Sequence, residues 1–180
     1  MRYLKSFNES FQYPTDEAEI RRLISEIAPD GQNGWEYNNN LNDRMRIHPD
    51  GTVDIIEGGI VIDLSHTNES YKRLPVKFGY IQDAISLWHL PNLTTLEGCP
   101  NSCEDFRLNT CIFLKSLVGG PKFVHGKYAI SGTHITSLEG APDTVGGTFD
   151  IEDCVLLTSL EGSPRHVGSI DISKTTIKDL

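Results

Sequence analysis

Four cysteines are the residues best suited to metal binding or nucleophilic chemistry in this chain: Cys99, Cys103, Cys111 and Cys154. Cys99 and Cys103 have a C-x-x-x-C spacing that could begin a zinc site, but no matching C-x-x-C or H-x-x-x-H pair follows. We therefore expect no metal site and no cofactor. In a cytosolic compartment the four thiols should stay reduced.

Histidines and short motifs give no stronger indication of catalysis. The chain has six histidines, scattered along its length, and only His66 and His89 occupy similar places relative to apolar pairs. Paired surface histidines are usually solvated, and no phosphate loop, H-E-x-x-H or G-x-S-x-G motif is present. The sequence predicts that the protein is not an enzyme. A site between Trp35 and Asp54 is the enzymatic alternative.

Charge and hydropathy restrict the partners. The 180 residues include 16 basic and 25 acidic side chains, a net charge of -9. Such a surface repels nucleic-acid phosphates, so we expect no direct nucleic-acid binding; the expected partner is a protein, for which a basic surface is one option. Residues 1–10 lack a signal-peptide core, and no stretch is long enough to span a bilayer. The prediction is a cytoplasmic protein without membrane contact.

An internal repeat of about 21 residues organises the second part of the chain. Four segments align, with start-to-start steps of 21, 21 and 22 residues, and a fifth begins 20 residues later at Ile177. The four segments are Leu93-Thr-Thr-Leu-Glu-Gly-Cys-Pro100, Leu114-Lys-Ser-Leu-Val-Gly-Gly-Pro121, Ile135-Thr-Ser-Leu-Glu-Gly-Ala-Pro142 and Leu157-Thr-Ser-Leu-Glu-Gly-Ser-Pro164. Such a period indicates stacked structural units.

Each segment is followed by an alternating apolar pair, which predicts a short strand. These pairs are Phe106-x-Leu108, Tyr128-x-Ile130, Phe149-x-Ile151 and Ile170-x-Ile172. Two degenerate copies precede them, with Ile85-x-Leu87 as the second rung and Ile62-x-Leu64 as the first. We count six rungs, and a single rung cannot bury its apolar side chains unless its neighbours stack on it.

Three residues after the second apolar position stands a column of small polar residues, broken only by Leu90. Its members are Thr67, Leu90, Cys111, Thr133, Cys154 and Thr175. Here the sequence resembles the leucine-rich-repeat family, whose core is L-x-x-L-x-L-x-x-[N/C/T]-x-L. The Leu-Thr-Ser-Leu-Glu-Gly-x-Pro phrase is similar to repeat proteins of tailed bacteriophages, and the short period resembles the repeats of secreted effectors from enteric bacteria. The resemblance implies a mostly β fold, a short leucine-rich-repeat solenoid with parallel strands.

Two parts are expected. Residues 59–180 form the solenoid, and residues 1–58 form an N-terminal cap with a helix over 15–28 and a β-hairpin over 45–55. Thr15, Asp16 and Glu17 favour a helix start, and Ile20, Leu23, Ile24 and Ile27 give it one apolar face. Burial on the first rung is the expected use of that face; partner binding is the alternative. No comparable cap follows Ile170–Ile172, so Ile177 and Leu180 fold over as a lid or two chains meet there.

The resemblance implies that a partner lies on the concave face made by the strands. Alternation then predicts which side chains point outward. The predicted partner-binding residues are Trp88, Arg107, Asp63, Asp105, Asp150, Glu152 and Asp171. Trp88 and Arg107 are of the types that dominate interface energies, although Trp88 could instead fill the irregular second rung. The acids of the last two rungs would attract a basic patch.

The predicted function is therefore protein binding, by a phage-type protein that captures or inhibits a host protein through its concave face. Such a protein would act in host takeover, in the cytoplasm of the host cell. The alternative is a structural or assembly protein that self-associates, as a homodimer for example, through the open edge of its C-terminal repeat. The sequence leaves open the partner's identity, the oligomeric state and whether the acidic face mimics nucleic acid.

Overall fold

The computed structural model of the chain describes residues 11–29, 38–65 and 71–177. Among these residues two helices precede all the strands: α1 covers Glu17–Ile27 and α2 is a single turn, Leu41–Arg44. Within these described ranges, neither helix has the length and apolar character needed to cross a membrane. After α2, the described residues form short strands and turns.

The remaining described residues contain eleven strands. They are β1 (Met45–Ile47), β2 (Thr52–Ile55), β3 (Ile60–Asp63), β4 (Lys77–Ile81), β5 (Ala84–Trp88), β6 (Ser102–Cys103), β7 (Asp105–Asn109), β8 (Phe123–Val124), β9 (Tyr128–Ser131), β10 (Thr144–Asp150) and β11 (His166–Asp171). Only β1 and β2 pair antiparallel; every other pairing among the strands described is parallel.

The parallel strands form two stacks, which confirms a mostly β solenoid of about five turns. In the first stack, here the front sheet, β3, β5, β7, β9 and the second halves of β10 and β11 follow one another. In the second, the side sheet, the order is β2, β4, β6, β8 and the first halves of β10 and β11. The sequence predicted the front sheet; the side sheet is an addition.

The core lies between these sheets and the repeated Leu-x-x-Leu segments. The predicted columns are confirmed, because Leu96, Leu117 and Leu138 are fully buried, while Leu160 on the last rung is half-buried. Along the front sheet three inner rings stack: Phe106 on Tyr128 at 5.0 Å between centroids, and Tyr128 on Phe149 at 5.5 Å. A fully buried side chain of this size contributes about 1.5–3 kcal/mol.

Two repeated features make the turns between Leu-x-x-Leu segments and side-sheet strands. The predicted glycine column adopts left-handed backbone, with φ of +88° at Gly140 and similar values in the other three repeats. At the preceding turn a hydroxyl accepts a backbone N–H two residues on, as from Glu139 to Ser137 Oγ at 3.0 Å. Ser116 and Ser159 do the same in their repeats. These local bonds explain the Thr/Ser column of the repeat.

Helix α1 packs on the core, as expected. It begins two residues later than Thr15, and Asp16 caps it by accepting the Glu19 N–H at 2.9 Å. Its apolar residues Ile20 and Ile27 are fully buried within the main hydrophobic cluster. This apolar face is therefore not a partner-binding surface.

The hairpin also forms as expected, but its second strand does more than cap the fold. Strand β2 pairs with β4 and so begins the side sheet. Between α1 and the hairpin, Leu41 and Asn42 lie in α2, and residues 31–37 are outside the described chain. Because cap and repeats share one core, the division between residues 58 and 59 stays a prediction.

The two ends of the front sheet differ. At β3, the buried Asn38 side chain donates to the Val61 carbonyl at 2.8 Å and accepts the Val61 N–H at 2.9 Å, so it satisfies backbone groups of the first edge. At the other end all six residues of β11 are exposed. Ile177 packs against the core, as expected if Ile177 and Leu180 form a lid. Leu180 lies outside the described residues.

Candidate partner-binding face

The predicted binding residues lie on the outer side of the front sheet and in the turn after β10, in three columns. Arg107, Asp150 and Asp171 share the central column, which also contains Ser86 and Ala129. Trp88 lies in the next column, opposite Asn109, and Glu152 follows Asp150 by two residues in the direction of that column. Asp105 begins β7 in the third column, opposite Ala84. The alternation of the strands therefore predicted this face.

One predicted position was wrong by two residues. Ile62-x-Leu64 was aligned with Ile85-x-Leu87, but the structure pairs Ile60 with Ile85 and Ile62 with Leu87. Asp63 consequently stands opposite Trp88 and not in the column of Arg107. The pattern could not fix this register, because Ile60, Ile62 and Leu64 are all buried and a shift by two keeps the same face inward.

Asp63 is held within the fold. It is 8% exposed, accepts the Ser65 N–H at 2.8 Å and lies 3.3 Å from His89 Nδ1. Burial opposes ionisation of this carboxyl, but the hydrogen bonds from Ser65 and the nearby imidazole together lower its pKa. His66, the other histidine of the proposed pair, lies outside the described residues. Asp63 thus positions the turn after β3 and presents little carboxylate to a partner.

Trp88 lies on the outer face and not in the core. Its side chain is half-buried, and its ring meets that of His89 edge-on, with centroids 6.3 Å apart. The core position of the same rung is filled by Leu90, which is 2% exposed in the column otherwise made of Cys and Thr. The irregular residue at position 90 is therefore accommodated without Trp88, whose ring remains partly available on the outer face.

Charged side chains bridge the rungs at the centre of the face. Arg107 Nη2 lies 2.5 Å from Asp105 Oδ2, and the Lys127 N–H donates to Asp105 Oδ1 at 2.6 Å. Lys127 Nζ in turn lies 2.7 Å from Asp150 Oδ2. Arg107 and Lys127 are both over 40% exposed, so each pair is worth at most about 1 kcal/mol. Two of the predicted acids are therefore already neutralised within the molecule.

The acidic end of the face is also partly paired. Lys174 Nζ lies 2.7 Å from Glu152 and 3.6 Å from Asp153. The Ser173 hydroxyl and N–H both donate to Asp171 and hold the pKa of that carboxyl below its usual range. Asp171 therefore stays ionised and exposed, which makes it the acid of this group most open to a basic partner.

Just past the front sheet the chain reverses through left-handed backbone. His89, Thr110, Asp153 and Lys174 have φ between 50° and 58°, and Gly132 has φ of 64° at the same place. The following Cys/Thr column is buried, with Thr133 Oγ1 3.3 Å from Cys154 Sγ. Burial raises the pKa of Cys103 and of Cys111 to about 12, so these thiols are poor nucleophiles near neutrality.

The sequence did not predict a set of exposed apolar residues in the turn that follows the Cys/Thr column. Ile112 and Phe113 on rung 3 are 41% and 53% exposed, and Val155 and Leu156 on rung 5 are 47% and 49% exposed. We call these four residues the apolar ridge. Both rungs carry one residue more than rung 4, where a single His134 separates Thr133 from Ile135. The spacing showed the extra residue, but not that it would push two apolar side chains into solvent.

Two further observations concern the possible metal site and the enzymatic alternative. Residues 11–29, 38–65 and 71–177 contain no group of His, Cys, Asp and Glu able to hold a metal ion. In the proposed enzymatic segment, His48 Nε2 lies 2.7 Å from Asp54 Oδ2, but Asp54 also accepts the Tyr80 N–H at 2.8 Å. That carboxylate ties the hairpin to β4, while Trp35 is outside the described residues.

Comparisons with known proteins add no assignment. Neither a protein-family model, nor a curated protein, nor a solved structure matches the chain. The function must therefore be argued from the residues of the face itself.

Proposed function

We propose that this chain is a protein-binding module whose contact surface combines the outer front sheet with the apolar ridge. The observation that carries the proposal is the ridge: four large apolar side chains, each at least 41% exposed, lie on two rungs of one turn. Apolar side chains grouped in this way commonly mark an interaction site. Ile112 and Phe113 stand about 10 Å from Val155 and Leu156, two strand spacings away.

Polar groups beside the ridge supply orientation. Trp88 and Arg107 lie on the adjacent front sheet, and both residue types are enriched among those that contribute most to interfaces. Asp171, Glu152 and Asp153 lie at the acidic end of the same surface. The partner we infer is a folded protein with an apolar patch and basic residues at one side of it. Large partners suit such a surface, because stacked repeats present extended faces.

The biological setting of this proposal comes from the repeat phrase. Because Leu-Thr-Ser-Leu-Glu-Gly-x-Pro is similar to repeats of tailed-bacteriophage proteins, we infer a phage-type protein that binds and inhibits a host protein. The leucine-rich-repeat assignment and a cytoplasmic location belong to the same proposal. Inhibition would follow if the bound partner loses access to its own ligand.

The test is affinity capture from bacterial lysate with matched variants. The ridge variant carries Phe113→Ser and Leu156→Ser, and the control carries Phe123→Ser, an equally exposed side chain on the side sheet at 45%. One dominant protein should be retained by the wild type and by the control and lost by the ridge variant. Trp88→Ala with Arg107→Ala should weaken binding of the purified partner about tenfold or more in calorimetry.

Two results would refute the assignment. Equal capture by the ridge variant and the wild type would remove the ridge from the contact surface. Equal loss in the Phe123→Ser control would show that binding depends on some other surface or on general stability. Circular dichroism of each variant establishes that the fold is intact before binding is compared.

A further inference from the structure

We propose that two copies of this chain pair through the free edge of β11, antiparallel, about a twofold axis that passes between Gly168 and Ser169. The proposal goes beyond the capture of another protein and does not rest on it. Its surface is the free edge of β11, with a second copy as its occupant, and Asp171 belongs both to this edge and to the partner-binding face.

The edge of β11 is open in the structure. Among the described residues β11 pairs with β10 alone, and all six of its residues are exposed. An unpaired strand edge is a template for another strand unless something blocks it. The first edge of the front sheet is blocked in this way, since the Asn38 side chain bonds to both polar groups of Val61. No such group occupies β11 within residues 71–177.

Apolar side chains on β11 lie over the end of the core. Val167 pairs with Val145 and Ile170 pairs with Phe149, and both of these neighbours are fully buried. Val167 and Ile170 therefore continue inner columns, yet each is 40% exposed, since no further rung of the described chain lies above them. A second copy would bury them.

The sequence of β11 is complementary to itself. In an antiparallel pair about the proposed axis, His166 stands opposite Asp171 of the second copy, and Val167 stands opposite Ile170 of the second copy. Gly168 then faces Ser169, and the twofold axis repeats each contact. Residues opposite each other in an antiparallel pair lie on the same face of the sheet. Inner Val167 therefore meets inner Ile170, and His166 meets the carboxylate of Asp171.

Strand β11 bends where it passes from the side sheet to the front sheet, and this corner is compatible with the proposed register. The strand passes from side sheet to front sheet at Gly168, where an added Cβ would lie 2.5 Å from the Gly146 carbonyl oxygen. For this reason the inner residues 167 and 170 are three positions apart instead of two. A twofold axis at the corner places the side-sheet half of one copy against the front-sheet half of the other, so both strands bend together.

Neighbouring registers are worse. A shift of one residue places inner Val167 opposite outer Asp171, or inner Ile170 opposite outer His166. A parallel pairing of the same two edges about a twofold axis would run that axis along the strands and turn the inner face of one copy to the outer side of the other, so the exposed Val167 and Ile170 of the two copies would not meet. Only the proposed register satisfies the apolar and the charged residues together.

Sedimentation velocity over a concentration series tests the proposal. We expect the wild type to form a dimer and Ile170→Lys to raise its Kd at least about tenfold, because each lysine would stand opposite Val167 of the second copy, inside the apolar contact. The control Phe123→Lys places the same charge at a side chain 45% exposed on the side sheet and should leave the Kd unchanged. Thermal melting should show Ile170→Lys as folded as the control.

A charge exchange separates pairing from local structure. Asp171→Lys would set a lysine against His166 of the second copy and weaken the dimer, and adding His166→Asp should restore it. If Asp171 acted only through its bonds from Ser173, the second substitution would restore nothing.

Disulfide trapping gives the register directly. Ser169→Cys lies beside the axis and should yield a covalent dimer on mild oxidation, while Ser159→Cys, exposed on the Leu-x-x-Leu side, should not. The four native cysteines are buried and do not compete. A wild type that stays monomeric at all concentrations, or a dimer indifferent to both Ile170→Lys and the charge exchange, would overturn the proposal.

Discussion

At the scale of single residues, the inner ring stack contains an unusual group. Tyr128 is fully buried between Phe106 and Phe149, and its hydroxyl makes no hydrogen bond. Burial raises the pKa of this phenol well above its ordinary value, so it stays neutral. A buried hydroxyl without a partner carries a desolvation cost that phenylalanine would not carry.

Tyr128→Phe should therefore leave the stack intact and stabilise the protein by about 1 kcal/mol. Urea unfolding followed by circular dichroism measures the change in free energy of unfolding. Tyr80→Phe, at a side chain that is 43% exposed, serves as the control and should have little effect. A clear loss of stability in Tyr128→Phe would mean that the hydroxyl makes a stabilising contact.

Single residues were predicted well where the repeat constrains them. Cys111, Thr133 and Cys154 occupy one buried column, as their common spacing indicated. The exposed pairs of the apolar ridge were not predicted, because a turn with one extra residue can fold inward or outward with the same periodicity. Ion pairs such as Lys127 with Asp150 depend on the register between rungs, which the spacing fixed only approximately.

At the scale of elements, the turns show how two glycines with similar backbone can have different roles. Gly140 has φ of +88°, and a Cβ there would lie 2.3 Å from the Val118 nitrogen on the rung below. Gly132 has φ of +64° with no atom within 4 Å of its would-be Cβ. Its equivalents on other rungs are His89, Thr110, Asp153 and Lys174, so that turn accepts side chains.

Asparagine tolerates left-handed backbone better than most residues. Substituting it at both glycines therefore separates the cost of steric contact from the cost of the backbone conformation. Gly132→Asn should change the free energy of unfolding by less than about 1 kcal/mol, whereas Gly140→Asn should cost about 2 kcal/mol or more. Parallel urea titrations of the two variants compare them. Similar losses in both would show that close stacking of the rungs at Gly140 does not occur.

The side sheet contains strands that the sequence did not predict. Strands Ser102–Cys103 and Phe123–Val124 are two residues long, too short for an alternating pattern to be recognised. The front-sheet strands are four or five residues long on rungs 2 to 4 and carry two inner apolar residues each, so their pattern was visible. The first rung was shifted because three alternating apolar residues permit two registers.

At the scale of the whole molecule, the described surfaces of the solenoid have different proposed roles. The apolar face of α1 is buried in the core, and the Asn38 side chain makes hydrogen bonds to the first edge of the front sheet. What remains is the front sheet with the apolar ridge, proposed for a protein partner, and the β11 edge, proposed for a second copy. The stacked repeat predicted an extended surface, while its apolar and charged details required the three-dimensional register.

Amide hydrogen exchange of the chain with and without its purified partner tests the protein-binding account most directly. We predict slower exchange on binding in peptides that cover residues 105–113 and 148–156, which hold the front-sheet centre and the apolar ridge. Peptides over 77–81 and 121–124 on the side sheet should exchange as in the free chain. Protection confined to the side sheet, or absent from both segments of the ridge, would contradict the account.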